Sequence, residues 1–228
     1  MDYDQRVQQL YEAVLRPGMG AIDVGAHVGR HGIEMAKLVM PSGCVMMFEP
    51  LPELFLRLQQ QILENFANSN STTVHPYALS DTNGETEFCV AVDAPWFSGM
   101  RERAMNVTTK VQHIKVQARR LDDIARDMNS VDFIKIDTEG AEWAVLRGAG
   151  DTISRHRPVV TFEFGLESYS AYDVDPVDVF KFFGDKSYVL MDILGRILDV
   201  SAFCSSSVKQ EVWDYVAVPR EKLALCPF

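Results

Sequence analysis

The chain has 228 residues, 47% of them hydrophobic and 24% charged, which is the profile of an ordinary globular protein long enough for one α/β domain. Its 32 acidic and 22 basic side chains leave a formal net charge of −10, which repels a phosphate backbone and argues against nucleic acid as a partner. No run approaches the roughly 18 apolar residues of a membrane span, and the charged start MDYDQRVQQLYEAVL lacks the features of a secretory signal, so the expectation is a cytoplasmic protein without a membrane span.

From Asp2 to about Leu15, the residues Val7, Leu10, Tyr11 and Val14 recur at helical spacing until Pro17-Gly18 ends the segment, which makes residues 1–17 a lead-in helix. Met19 to Val24 is a short apolar strand ending in glycines, and Gly29 to Met40 has the apolar spacing of a helix. Cys44 to Phe48 reads as the next strand, Pro52 to Phe66 as a helix opened by proline, and Thr72 to His75 as a third strand. Two successive strand–helix–strand units predict a doubly wound, mostly parallel sheet.

Thr86 to Val92 and Val111 to Ala118 read as extended, separated by a loop around Ser98 to Asn106. A short helix over Leu121 to Met128, a buried strand over Val131 to Ile136, a helix over Ala141 to Leu146 and a strand over Pro158 to Phe164 continue the alternation. The tail predicts a helix over Asp178 to Phe183 and strands over Tyr188 to Ile193 and Val212 to Val218, with Gly195 and Ser205 to Ser207 as turns, giving an antiparallel edge hairpin. The whole chain, residues 1–228, reads as a single domain, with monomer and homodimer both open. Cys44, Cys89, Cys204 and Cys226 stand singly and read as reduced structural thiols, and the sequons at Asn70 and Asn106 are chance matches in a chain with no export signal.

The segment AIDVGAHVGRHG places Asp23 at a strand end, then Gly25, Ala26, His27 and Gly29 before a helix. Glycine there allows a sharp turn and a close approach of ligand to backbone. The spacing D-x-G-x-x-x-G is not the G-x-G-x-x-G of a dinucleotide site, and a carboxylate at this place repels a pyrophosphate but attracts a cationic ammonium or sulfonium, so S-adenosylmethionine fits better than NAD. Glu49, followed by Pro50, ends the next strand, where an acidic partner for the two ribose hydroxyls is expected.

With Asp23 and Glu49 in place, ALSD at Ala78 to Asp81, RLDD at Arg120 to Asp123, and DFIKIDTEGAEWAVLRGA from Asp132 to Ala149, the chain resembles the FkbM-family methyltransferases from about Gly18 to Phe164. The resemblance implies a Rossmann-like, seven-strand class I methyltransferase domain. It also implies methyl transfer from S-adenosylmethionine to a small-molecule acceptor, usually a hydroxyl on a sugar or other natural product. By the same resemblance Asp23, Gly25 and Gly29 lie around the methionine end, Glu49 on the ribose, and Ala78, Leu79 and Asp81 near the adenine. Two departures stand out: His27 and Pro76-Tyr77 occupy places where family members often carry Asn.

Methyl transfer to a hydroxyl needs a group that accepts its proton. Asp137, at the carboxyl end of a buried strand, is the first candidate for base and also touches the cofactor site; Glu139 and Glu163 are further catalytic candidates. Glu139 and Glu142 can equally serve as acids at a helix N-terminus. A divalent metal on Asp137, Glu163 and His27 or His113 is conceivable, but none is assigned. The loop over residues 95–106, with Trp96, Phe97, Arg101 and Arg103, suits a cap over the acceptor. The alternatives are an N- or carboxyl-directed methyltransferase and a non-catalytic partner protein that keeps the cofactor loop.

Overall fold

The computed structural model describes residues 2–66, 71–102 and 109–228; the two sequon asparagines, Asn70 and Asn106, and Arg103 lie outside the described residues. Helix α1 (Tyr3–Val14) starts where the Asp2 carboxylate accepts from the Gln5 N–H, and it buries Val7, Leu10, Tyr11 and Val14. Strand β1 (Gly20–Val24), helix α2 (Arg30–Val39), strand β2 (Cys44–Phe48), helix α3 (Pro52–Asn65) and strand β3 (Thr72–His75) follow as their periodicity predicts. Strands β4 (Tyr77–Leu79), β5 (Gly84–Ala91) and β6 (Val111–Arg119) come next. They are followed by helix α4 (Leu121–Ile124), strand β7 (Phe133–Ile136), helices α5 (Glu142–Gly148) and α6 (Gly150–His156), and strand β8 (Val159–Glu163). Helices α7 (Leu166–Tyr169) and α8 (Pro176–Gly184), strand β9 (Tyr188–Asp192), helix α9 (Val200–Lys209) and strand β10 (Asp214–Pro219) complete the order.

The main sheet runs β3-β2-β1-β7-β8-β10-β9. Its first five strands are parallel, and β10 is antiparallel to both β8 and β9. This is the Rossmann-like, seven-strand class I methyltransferase fold with its antiparallel carboxyl-terminal strands. The link between those strands differs from the turn expected at Ser205 to Ser207, because the serines lie inside α9. Ser206 and Ser207 are fully buried, and the Tyr215 hydroxyl donates to Ser206 Oγ at 2.8 Å. Small hydroxylated side chains here let the helix sit close on the sheet.

Each face of the sheet is covered. On one side Ile22, Ile134, Val160 and Phe162 meet Leu121, Val145, Phe183 and Phe203; on the other Ala21, Val45, Phe133 and Val216 meet Leu10, Tyr11, Met35 and Leu58. A second sheet, β4-β6-β5, pairs β4 with β6 in parallel and β5 with β6 in antiparallel fashion. It brings Ala78 and Leu79 against the ends of the main strands. β1 is flanked by β2 and β7, so the chain crosses over there and opens a crevice at the carboxyl ends of the strands. Among the described residues, no helix is long and apolar enough to cross a membrane.

Phe203 is fully buried, stacked at 5.5 Å on Phe164 and edge-on at 4.9 Å to Tyr215. Phe203→Ala should lower stability by about 3–5 kcal/mol through lost burial and a residual cavity, read as a lower urea midpoint at unchanged slope.

Candidate functional site

Side chains alternate between the two faces of a strand, so Asp23, Lys135, Glu163 and Asp214 share the face covered by α1 and α2. The registers place Asp23 opposite Lys135 and Asp214 opposite Glu163. The Lys135 ammonium lies 3.6 Å from Asp23 Oδ1 and donates to Asp137 Oδ2 at 3.2 Å. Burial alone would drive Lys135 neutral; Asp137 and Asp23 more than reverse that and hold it protonated. Asp23, only 1% exposed, does not line the cavity above, and it acts on the site through Lys135, which does.

Asp137 sits just beyond the end of β7, two-fifths exposed. Burial works against its ionisation, yet the Lys135 ammonium and a hydrogen bond from Glu163 outweigh it and keep its carboxyl below the usual range. Glu163 is pushed the other way, well above the usual carboxylate range, first by burial and then by the charges of Asp137 and Glu139. Asp214 is likewise raised to about 7 by burial and by Asp137. The three candidate acids thus converge: carboxylate oxygens of Asp137, Glu139 and Glu163 lie within 4.8 Å of one another, the one group among the described residues arranged so that it could hold a metal ion.

The first loop is set by backbone geometry. Gly25 has φ 75°, and a Cβ there would lie 1.8 Å from the Asp137 carbonyl oxygen, so only glycine lets the ends of β1 and β7 meet. Gly29, at φ 83°, caps α2, where a Cβ would collide with Leu58. His27 also adopts a positive φ, and its N–H donates to Glu49 Oε2 at 2.8 Å, while the Leu51 N–H donates to Glu49 Oε1 at 2.9 Å. Burial raises Glu49 to about 7 in spite of these two bonds. Burial also lowers the His27 imidazole, which favours its neutral form.

Above these groups is a cavity of about 390 Å³. Gly25, Ala26 and His27 line its floor; Phe48, Glu49, Pro50, Leu51, Ala78 and Leu79 form one end. Lys135, Asp137 and Glu139 line the other end together with Asp4, Arg30 and His31. From the loop after β5, Trp96, Ser98 and Met100 reach the cavity. Arg101 does not line it: its Nη1 donates to the Ala171 carbonyl at 2.8 Å and its guanidinium lies over the Tyr172 ring.

The aspartates of the ALSD and RLDD motifs act as clamps rather than as cavity walls. Asp81 accepts from Arg147 Nε at 2.8 Å and does not line the cavity, while Gly148 packs so closely on Ser80 that a Cβ would lie 2.0 Å from its carbonyl oxygen. Asp122 of RLDD accepts from the N–H and hydroxyl of Thr152, both at 2.8 Å. Glu142 accepts from the Thr138 N–H and hydroxyl and from the Gly140 N–H, which fixes the turn that carries Glu139. His113 lies on β6 of the second sheet, against Glu87 and Cys89, and is not part of the Asp137–Glu139–Glu163 group.

Sequence reasoning missed Lys135, Asp214 and the α1–α2 contributors Asp4, Arg30 and His31. A lysine inside the apolar strand FIKI was the available signal for the first, since a buried cation demands a partner.

Comparison with known proteins identifies the family. Residues 23–190 match the family described as methyltransferase FkbM domain. A 2-O-methyltransferase NoeI of Sinorhizobium fredii is 27% identical over 175 residues, 71% of this chain and 70% of that protein. A crystal structure of methyltransferase FkbM from Methylobacillus flagellatus KT superposes with a TM-score of 0.55 at 18% identity; it covers 95% of this chain, which spans only 55% of that longer one. A putative rRNA-methylase from Clostridium thermocellum shares the fold at TM-score 0.54 and 9% identity, over 95% of this chain and 94% of its own. Because the family match extends over most of the chain and includes the loop, Glu49 and the Asp137 strand, this protein belongs to the FkbM methyltransferases.

Proposed function

We propose that the protein transfers a methyl group from S-adenosylmethionine to a hydroxyl of a small-molecule acceptor, a sugar or other natural product. The observation that carries this reading is Glu49, a buried carboxylate presented to the cavity by two backbone N–H groups at the opposite end from Asp137. Each of its oxygens accepts one backbone bond and keeps a lone pair for a ribose hydroxyl. The cofactor fits the residues present: a cradle at Gly25 that a Cβ would fill, an apolar wall of Phe48, Leu51, Ala78 and Leu79 for a purine, and Glu49 for the diol. When bound, S-adenosylmethionine supplies an electrophilic methyl group on a sulfonium.

The chain's own residues then have three tasks. The cavity walls orient the acceptor and limit water. Asp137 accepts the hydrogen bond of the acceptor hydroxyl. As that oxygen gains a methyl group it becomes strongly acidic, so even a carboxylate held below its usual range can take the proton. Lys135 and the hydrogen bond with Glu163 favour the ionised form of Asp137 and orient it beforehand.

Calorimetry with S-adenosylhomocysteine tests the cofactor half: the wild type binds, and Glu49→Gln weakens affinity about 10- to 100-fold, the effect of losing a charged hydrogen-bond acceptor. Because Glu49 titrates at about 7 and the ribose hydroxyls need its ionised form, wild-type affinity falls as pH drops. Between pH 8 and pH 6 the loss is roughly tenfold for one linked proton, and Glu49→Gln removes it. A mass-shift screen of hydroxylated metabolites tests the transfer. On the acceptor it returns, Asp137→Asn should lower kcat about 10²- to 10⁴-fold with S-adenosylhomocysteine affinity within a few-fold of wild type. Full retention of rate would remove Asp137 as the base.

A further inference from the structure

We propose that the Asp4–Arg30 ion pair is a specificity element that grips neighbouring hydroxyls of a carbohydrate acceptor, with Trp96 stacking on the face of its ring. The proposal rests on the reading of hydroxyl methylation above and assigns a role to a helix that the family match, which begins at residue 23, does not include.

Asp4 belongs to the first turn of α1 yet lines the same cavity as Asp137. Its carboxylate is fixed from two sides: Arg30 Nη1 donates to one oxygen, and His31 Nε2 lies 3.2 Å from the other. His31 is itself held rigid, with its side chain 7% exposed and its ring edge-on to Tyr11 at 5.8 Å. Asp4 and Arg30 are each about half exposed, at 49% and 54%, on the cavity wall rather than packed beneath it. They lie towards the acids at the ends of β7 and β10, since His31 acts electrostatically on Asp137 and Asp4 on Asp214. Their place is therefore at the reacting end of the cavity, away from Glu49.

The chemistry of the pair selects its ligand. A sugar hydroxyl both donates and accepts, and adjacent hydroxyls on a ring need an acceptor and a donor side by side. An ionised carboxylate next to a guanidinium, with up to four lone-pair sites and five N–H donors, supplies both in a fixed arrangement. Trp96 lines the same cavity and is 56% exposed, a large ring left in water that can cover the apolar C–H face of a pyranose. An anionic acceptor is disfavoured because Asp4, Asp137 and Glu139 outnumber Arg30 and Lys135 along this wall. A purely apolar acceptor would leave the remaining guanidinium N–H donors and carboxylate lone pairs of the ion pair unpaired once water is displaced.

Saturation-transfer NMR on the full chain loaded with S-adenosylhomocysteine tests this, using methyl α-D-glucopyranoside, methyl α-D-galactopyranoside and catechol as probes. The expected result is transfer to at least one pyranoside in the wild type, reduced at least fivefold in both Asp4→Asn and Trp96→Ala. S-adenosylhomocysteine Kd should stay within twofold in both variants. The two substitutions sit on different elements, so loss of fold in one leaves the other decisive. The proposal is overturned by transfer to catechol alone, by no pyranoside transfer in the wild type, or by unchanged transfer in the variants. A tenfold rise in S-adenosylhomocysteine Kd in Asp4→Asn would also overturn it, by assigning the pair to the cofactor. Failure of the wild type to bind S-adenosylhomocysteine at all is a separate outcome: it defeats the methyltransferase reading itself and this proposal with it.

Discussion

A lysine in the middle of a four-residue strand buried on both faces of a sheet is tolerable only if its charge is answered where it stands. Removing an ammonium from water costs several kcal/mol even after relaxation. In this protein the β1–β7 register sets Asp23 beside Lys135, and the strand's own continuation brings Asp137 to its other side. A slip of one residue would turn both charged side chains into the apolar layer of Val145 and Phe183. The same arrangement that fixes the register therefore also favours the ionised form of Asp137, whose charge in turn raises Glu163. Fold and chemistry share one small group of atoms.

The backbone contributes a second constraint at the same place. Two turns at the crevice carry a non-glycine residue at positive φ: His27 after β1, two residues from both Gly25 and Gly29, and Glu139 after β7, next to Gly140. Residues held in such conformations persist where the surroundings over-determine them. Here the Glu49 carboxylate holds the first turn, and Glu142, with three bonds to the second, holds the other. Glu49 is thus a structural acceptor whose burial is compensated by two backbone N–H bonds, and in the proposed reading it is also the group that meets the ribose.

Much of this was legible in the sequence because it is local. The glycines after β1, the acid at the end of β2 and the alternation of strands and helices follow from spacing alone, and they led to Glu49 and Asp137. What was not legible depended on contacts between distant segments. Asp81 appeared beside the adenine, but Arg147 of α5 engages it. Lys135 looked like one residue of an apolar run, since its partner Asp23 is set beside it only by strand pairing. Three serines read as a turn because propensity favours it, whereas burial against Tyr215 makes them part of a helix. The short β4 was hidden because three residues carry too little periodicity to register, and its pairing with β6 comes from tertiary structure.

The placement of β10 has a bearing on how the molecule is assembled. It follows β9 in sequence yet lies inside the sheet, hydrogen-bonded to β8 on one edge and β9 on the other. During synthesis β9 leaves the ribosome first and finds no neighbour to zip onto. The exposed rims of β8 and β9 must wait for a segment not yet translated, and in that interval both are open to pairing with other chains. Nascent polypeptides of this architecture should therefore lean on chaperones most heavily between the emergence of β9 and that of β10.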